Sequence, residues 1–427
     1  MPRIRAFKGL RYNPDQVDLD RTLCPPYDVI DPAQAEQLQR LSPYNCIHLE
    51  LPQASPRDSQ TANRYTRAQE TYKAWQAAKV LSAETLPALY YHEHSYRLGE
   101  REQQRCGLIA AVKIDEEGPR AILPHEATHK APKRDRLQLL NSLKLNTSSI
   151  FGVYADPERL LTLTIRPRLG EPVLNIAVGS ERHRLWAITD SGLINEIVAL
   201  FENRPVLIAD GHHRYETARI YRDHRRAATG LDDGDQLFDY TMMYLCNLEE
   251  GLRILPTHRV VRDSMGVGLV DLEYRIKELF NMHPFDNRKA FLKALEDGGA
   301  GKIGLYVGGI ERYYLLEALP DADLDRFMPV ELAPELRRLD LTVLHSCILE
   351  PILGIDETNA DKRLTYVSDT ARALDLIEQA ETGIVFLLNP NTVNEVMEIA
   401  KVGLKMPQKS TYFYPKVPSG LCFHSVE

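Results

Sequence analysis

Residues 205–228 read PVLIADGHHRYETARIYRDHRRAA, and this stretch decides the fold class. Its first part, Pro205–Ala209, is a short apolar run with β-branched residues, the pattern of a buried strand. Its second part, Arg214–Ala228, is rich in helix formers and continues without Gly or Pro. Between them lies Asp210-Gly211-His212-His213-Arg214. A helix that starts directly after a strand carries backbone N–H groups with no internal partner, at the positive end of its dipole. An anion placed there meets donors already aligned. Gly211 permits a tight turn and close backbone approach, Arg214 offers a planar fork for a phosphate, and His212 and His213 can donate or shuttle protons. The competing reading makes Asp210 a helix cap and the histidines turn residues. Five such residues in a row weigh against it.

Outward from this junction, strand and helix patterns mix along the whole chain. A helix is expected from Pro32, with Asp31 as its cap and proline at its first position. Residues 57–80 carry Tyr65, Ala68, Tyr72 and Trp75 at helical spacing, a stripe that reads as core. Ala88–His92 and Cys106–Ile114 read as strands, 125–150 as a loop running into a helix, 160–190 as alternating short strands, and 193–202 as an amphipathic helix. Beyond the acidic loop at 231–236, helices are expected at 270–281, 286–296, 339–349 and 391–402. Strands are expected at 301–308, 312–317 and 384–388. The class is therefore α/β or α+β, neither all-β nor a helical bundle.

A chain of 427 residues predicts two or three domains. The expected division is a motif-bearing region over 1–260 and a C-terminal α/β region over 261–427 that returns to the same site through 405–416. Hydrophobic residues at 44% and charged residues at 26% fit a globular chain. Lys+Arg 52 against Asp+Glu 60 gives −8, which argues against a surface built to hold nucleic acid phosphates. The six cysteines show no metal or disulfide spacing and read as reduced thiols. The basic N-terminus leads into no apolar segment, and no run of about 18 apolar residues occurs. The expectation is a soluble cytoplasmic protein without a membrane partner.

Two further constellations could carry chemistry. In Pro124-His125-Glu126-Ala127-Thr128-His129-Lys130, His125 and Glu126 could divide acid and base duties or help hold a divalent ion. Lys133, Arg134 and Arg136 beyond them suit an anionic substrate. The spacing is not HExxH, and Pro124 and Pro132 are expected to fragment any helix there, which disfavours zinc-peptidase chemistry. In the stretch 405–416, KMPQKSTYFYPK, three lysines (Lys405, Lys409 and Lys416) and two hydroxyls (Ser410 and Thr411) surround an aromatic strand and suit a phosphate or carboxylate. GxxxxGK[ST] and GxGxxG are both missing from the sequence, so neither a P-loop nor a dinucleotide fold has support.

The stretches IRAFKGLRYNP, CPPYDVIDP, SPYNCIHLELP, ILPHEATHKAPKRDRL, IADGHHRYETA, ILPTHRVV and KMPQKSTYFYPK, in this order, resemble the bacterial and archaeal family catalogued as domain of unknown function 1015. The DGHHR turn is also similar to the turn of the ParB/sulfiredoxin-like superfamily, which includes DNA-partition proteins, sulfiredoxins and free serine kinases. In those enzymes the turn before the helix holds nucleotide phosphates. The resemblance implies a ParB/sulfiredoxin-like nucleotide-binding core with additional mixed α/β regions. Sulfiredoxins carry a catalytic cysteine where this chain has His212, which argues against sulfinic-acid reduction, and the serine kinases are closer in their Asp-Gly-His turn.

The leading expectation is a nucleotide-dependent phosphotransferase, or a phosphate-ester hydrolase, acting on a small hydroxy-amino acid such as serine. ATP or ADP with Mg²⁺ is the implied cofactor. Asp28, Glu126 or Asp210 would orient the attacking hydroxyl, and His125, His212 and His213 would carry protons. Gly211, Arg214, Lys405, Lys409 and Ser410 would hold the nucleotide. The alternatives are a ParB-like nucleic-acid-binding regulator and a non-catalytic protein that senses an anionic metabolite.

Overall fold

The computed structural model describes residues 2–99, 101–116, 121–356, 358–407 and 409–427. The chain forms two compact units. The first comprises Met1–Pro124, Thr128–Leu252 and Pro415–Glu427, the second His125–Ala127 and Arg253–Tyr414. Both are mixed α/β, and no helix among the described residues is long and apolar enough to cross a membrane.

In the first unit the strands are β1 (Ile4–Arg5), β2 (Leu10–Tyr12), β3 (Leu81–Ala83), β4 (Leu89–Leu98), β5 (Arg101–Lys113), β6 (Ile122–Leu123), β7 (Leu145–Asn146), β8 (Ile150–Tyr154), β9 (Leu174–Val178), β10 (Glu181–Ile188), β11 (Val206–Asp210) and β12 (Tyr240–Asn247). Nine of them build one sheet in the order β6-β11-β8-β12-β5-β4-β10-β9, with β1 also bonded to β5. The β11–β6 and β12–β8 pairs are parallel and the rest antiparallel. β8, β11 and β12 are buried at every position, which explains their near-continuous apolar runs. The last residues of the chain return here: His424–Ser425 pair with β7, and Phe423 joins a core cluster with Leu10 and Trp75.

The helices of this unit are α1 (Pro32–Leu41), α2 (Ile47–Glu50), α3 (Arg64–Ala77), α4 (Lys130–Leu143), α5 (Leu160–Ile165), α6 (Ser191–Phe201) and α7 (His212–Thr229). α1 begins as its sequence dictates, with the Asp31 carboxylate accepting from the Gln34 N–H and Pro32 at the first position. α3 starts later than the 57–80 periodicity predicts, because Asn63 caps it in a box with Thr66. It buries Ala68 and Trp75.

Three expectations need correction, one being the helix expected at 270–281, which ends at Ile276 before a strand begins at Phe280. Pro132 does not break α4. It falls in the first turn, where no i−4 bond is owed. Residues 160–168 are helical rather than extended, α5 continuing into a 3₁₀ turn at Arg166–Arg168. The alternating run LLTLTI looks like a strand in isolation, but packing of buried Leu161 and Ile165 against the core overrides that local preference.

The second unit is built on a six-stranded sheet. Its strands, with those that pair outside it, are β13 (Arg253–Leu255), β14 (His258–Val261), β15 (Phe280–Phe285), β16 (Lys302–Val307), β17 (Tyr313–Ala318), β18 (Leu364–Val367), β19 (Ile384–Leu388) and β20 (Tyr412–Tyr414). The order is β15-β17-β16-β19-β14-β18, all ladders antiparallel, and β13 pairs with β20.

Candidate anion-binding site

The site grows from the end of β11. The ladder between β11 and β8 shifts register between Ile208 and Asp210, a bulge that re-aims the Asp210 side chain. Gly211 follows with φ +92°, immediately before α7. A side chain there would be strained, and its Cβ would lie 2.9 Å from Arg214 Nε. Glycine is needed on both counts.

Asp210 does not cap α7, whose start has no side-chain cap. Its carboxylate instead takes Arg214 Nη2 at 2.5 Å on one oxygen and Lys416 Nζ on the other. Burial alone would raise its pKa, but the Lys416 ammonium and the Arg214 guanidinium outweigh it and hold the carboxyl down at about 2.

Arg214 also donates from Nη1 to the Ser149 carbonyl at 2.6 Å. Its Nε has no hydrogen-bond partner among the described residues, and neither has Thr217 Oγ1, one turn further along α7. Thr217 is only 2% exposed. Both residues line a cavity of about 40 Å³, together with Arg136, Asn146, Thr147 and Ser148. That is room for roughly three waters. Leaving a buried donor unmet costs about 1–3 kcal/mol, so two such donors on residues that line one cavity mark a centre not yet satisfied by the protein alone.

Glu50, at the end of α2, lies beside this cavity. It is wholly buried, and its carboxylate accepts from Thr147 Oγ1 at 2.5 Å, from Ser148 Oγ at 2.9 Å and from the Tyr27 N–H at 3.4 Å. Arg136 on α4 donates to the Glu50 carbonyl at 2.7 Å and to Asp135 at 2.8 Å, with the Tyr27 ring stacked 4.1 Å from its guanidinium. Burial would lower the pKa of Arg214, but the carboxylates of Asp210, Asp28 and Glu50 more than offset it and keep this arginine charged. The sequence places Tyr27 and Glu50 inside CPPYDVIDP and SPYNCIHLELP, yet Glu50 has no role in the sequence reading. Its available signal is one carboxylate between the apolar residues Leu49 and Leu51.

The first turns of α7 are held by the segment that follows the His125–Glu126 motif. His213 Nε2 accepts from the His129 N–H at 3.0 Å, which places the His213 proton on Nδ1 if the ring is neutral. Glu216 accepts from Thr128 Oγ1 at 2.6 Å and Lys133 Nζ at 2.7 Å. His212 is buried. Asp210, Gly211, His212, His213 and Arg214 are thus together in the first unit, joined by Lys416.

His125, Glu126, Lys405, Lys409 and Ser410 belong to the second unit. There His125 is buried, with Nε2 2.9 Å from Thr411 Oγ1 and its ring against Phe413, and Glu126 forms a bridge with Met406. The Lys409 carbonyl accepts from buried Arg259 at 3.0 Å, and the Ser410 hydroxyl donates to the Pro407 carbonyl. Gln408 of the same motif lies outside the described residues.

The family described as "Protein of unknown function (DUF1015)" matches residues 4–342. No curated protein matches the chain. Solved structures similar to it include a free serine kinase in complex with AMP, at 14% identity and TM-score 0.33, covering 70% of this chain and 89% of that one. A conserved hypothetical protein from Pyrococcus furiosus matches at 17% identity and TM-score 0.32, over 70% and 90%. SbnI with C-terminal truncation from Staphylococcus aureus matches at 10% identity and TM-score 0.36, over 73% and 85%.

Proposed function

This chain belongs to the family of proteins of unknown function catalogued as DUF1015, and we propose that it is a nucleotide-dependent phosphotransferase or phosphate-ester hydrolase acting on a small hydroxy-amino acid such as serine. The observation that supports this most directly is that Arg214 and Thr217, each with one buried donor that has no partner among the described residues, line one small cavity. Charge-assisted hydrogen bonds to a phosphoryl oxygen would satisfy both. The cavity is too small to enclose a nucleotide, so in this reading it takes a phosphoryl group and leaves the rest of the molecule outside.

Phosphoryl transfer needs positioning and charge neutralisation more than covalent chemistry. Arg214 is pre-oriented by Asp210 and the Ser149 carbonyl, and that fixed geometry costs no reorganisation when charge develops. Asp210, held at about 2 and clamped by two cations, is a poor proton acceptor near neutral pH and serves to position Arg214 and Lys416. Glu50 suits the role of orienting an attacking hydroxyl better, because neutral hydroxyls rather than a cation hold its carboxylate.

Mg²⁺ is the ion the nucleotide would bring. Both Asp210 oxygens are taken by cations, so such an ion would be held mainly by phosphate oxygens and water. It would neutralise phosphate charge there.

The test is to incubate pure protein with ATP or ADP, Mg²⁺ and serine, and to look for phosphoserine formed or consumed. Turnover in either direction that Glu50→Gln lowers at least a hundredfold is expected. Tight nucleotide binding without turnover would leave an anion sensor instead, and salt-dependent retardation of DNA would favour the nucleic-acid alternative.

A further inference from the structure

The sheet of the first unit carries a second polar cluster, which the proposed phosphoryl site does not use. β4 places His92 and His94 on one face, two residues apart. β10 runs antiparallel beside it with His183 directly opposite His94, so Glu181, two residues earlier, shares that face. His94 and His183 are buried, whereas the Glu181 side chain, at the first residue of β10, is 37% exposed. Glu181 Oε2 lies 2.8 Å from His94 Nε2 and 3.8 Å from His183 Nε2. One ligand atom from each of the three lies within 4.8 Å of the others. Behind them His183 Nδ1 meets His92 Nε2 at 3.2 Å, and His92 Nδ1 meets the Tyr244 hydroxyl at 3.3 Å.

We propose that His94, His183 and Glu181 form a binding site for a first-row divalent transition ion, Zn²⁺ in the first instance, with one coordination position open. Donors about 2.0–2.1 Å from a tetrahedral ion stand roughly 3.4 Å apart. The spacings seen here bracket that value, so small ring rotations close the site. Two imidazoles with one carboxylate favour Zn²⁺, Co²⁺ or Ni²⁺ over Mg²⁺ and Ca²⁺, which prefer oxygen shells. The His92–Tyr244 chain fixes the His183 ring and gives its Nδ1 proton an acceptor, the support that metal-binding histidines usually have. The exposed edge at Glu181 provides the way in.

Arg105 sets a condition on loading. Its Nη2 lies 3.3 Å from His94 Nδ1, and a guanidinium only donates. The metal-free His94 therefore carries its proton on Nε2 and gives it to Glu181. When the ion binds, the proton leaves Nε2, the ring takes up one on Nδ1, and the Arg105 contact is given up. Arg105 keeps its bond to the Pro415 carbonyl. Its charge near the ion weakens the site relative to one without a cation.

Chelator-stripped protein dialysed against Zn²⁺ or Co²⁺ and then desalted should retain about one ion per chain. The Co²⁺ form should absorb visibly, as a four- or five-coordinate nitrogen and oxygen site does. Glu181→Gln, at the open edge, and His94→Gln should lower retention at least about tenfold with unchanged circular dichroism. His283→Gln, at the exposed His283–Glu317 pair of the second unit, should retain as much as the parent. Retention under a tenth of an ion per chain by the parent, or equal retention by Glu181→Gln, overturns the proposal.

Discussion

Replacing Thr217 by Val exchanges a hydroxyl for a methyl group of nearly the same shape, at a position 2% exposed whose Oγ1 has no partner among the described residues. An unmet buried hydroxyl costs about 1–3 kcal/mol. Water in the adjacent cavity offsets part of that, so a gain of about 1 kcal/mol is expected. For a unit of this size the gain corresponds to a rise in Tm of roughly 2–4 °C. Binding should change the other way. A hydrogen bond to a charged group is worth about 1.5–3 kcal/mol, so the affinity for inorganic phosphate or ADP should fall about ten- to a hundredfold. Differential scanning fluorimetry reads the first effect and isothermal calorimetry the second. A lower Tm would show that the hydroxyl is already bonded within the protein. Unchanged affinity would remove Thr217 and its cavity from the anion site.

Lys416→Met leaves Asp210 with Arg214 alone, and Tm should fall by several degrees, since a buried carboxylate loses one of two cations. Because the folded pKa of Asp210 is about 2 against an ordinary 3.8, its stabilisation is present above about pH 4 and lost as pH falls towards 2. That amounts to about 2 kcal/mol, and acid titration followed by circular dichroism should show Lys416→Met unfolding at higher pH than the parent. Gly211→Ala should abolish phosphate binding and cost more than about 1 kcal/mol, through positive φ and the Arg214 contact, as chemical denaturation would measure. All six cysteines are free and buried, and burial raises thiols such as Cys106 to about 11 and Cys246 to about 12. A thiol reagent at pH 8 should therefore label none of them until denaturant is added, and then all six.

The strand–turn–helix at 205–228 was legible because its information is local: an apolar run, a glycine that alone tolerates the turn, and an uninterrupted helical stretch. Asp31–Pro32 was legible for the same reason. Glu50 and Thr217 were not, because each gains its role from partners far along the chain: Glu50 from Thr147 and Ser148, and Thr217 from the cavity walls; Lys416 stood within the basic 405–416 stretch, but that its carboxylate partner is Asp210 was not legible there. The histidines of β4 and β10 meet only through strand register, which no spacing rule reveals. Residues 160–168 show the opposite failure, a strong local pattern overruled by packing.

Pro415–Glu427 belongs to the first unit although the chain has by then passed through the whole of Arg253–Tyr414. On the ribosome, Asp210 emerges long before Lys416. At ~5–20 residues per second the delay between residue 252 and residue 415 is roughly ten to thirty seconds. Throughout that interval β7 lacks its neighbour at His424–Ser425, and the aspartate has only one of its two counterions. The nascent protein must wait with this centre unfinished until Lys416 and the residues after it emerge. Removing even the last dozen residues should therefore disable a site more than two hundred positions upstream.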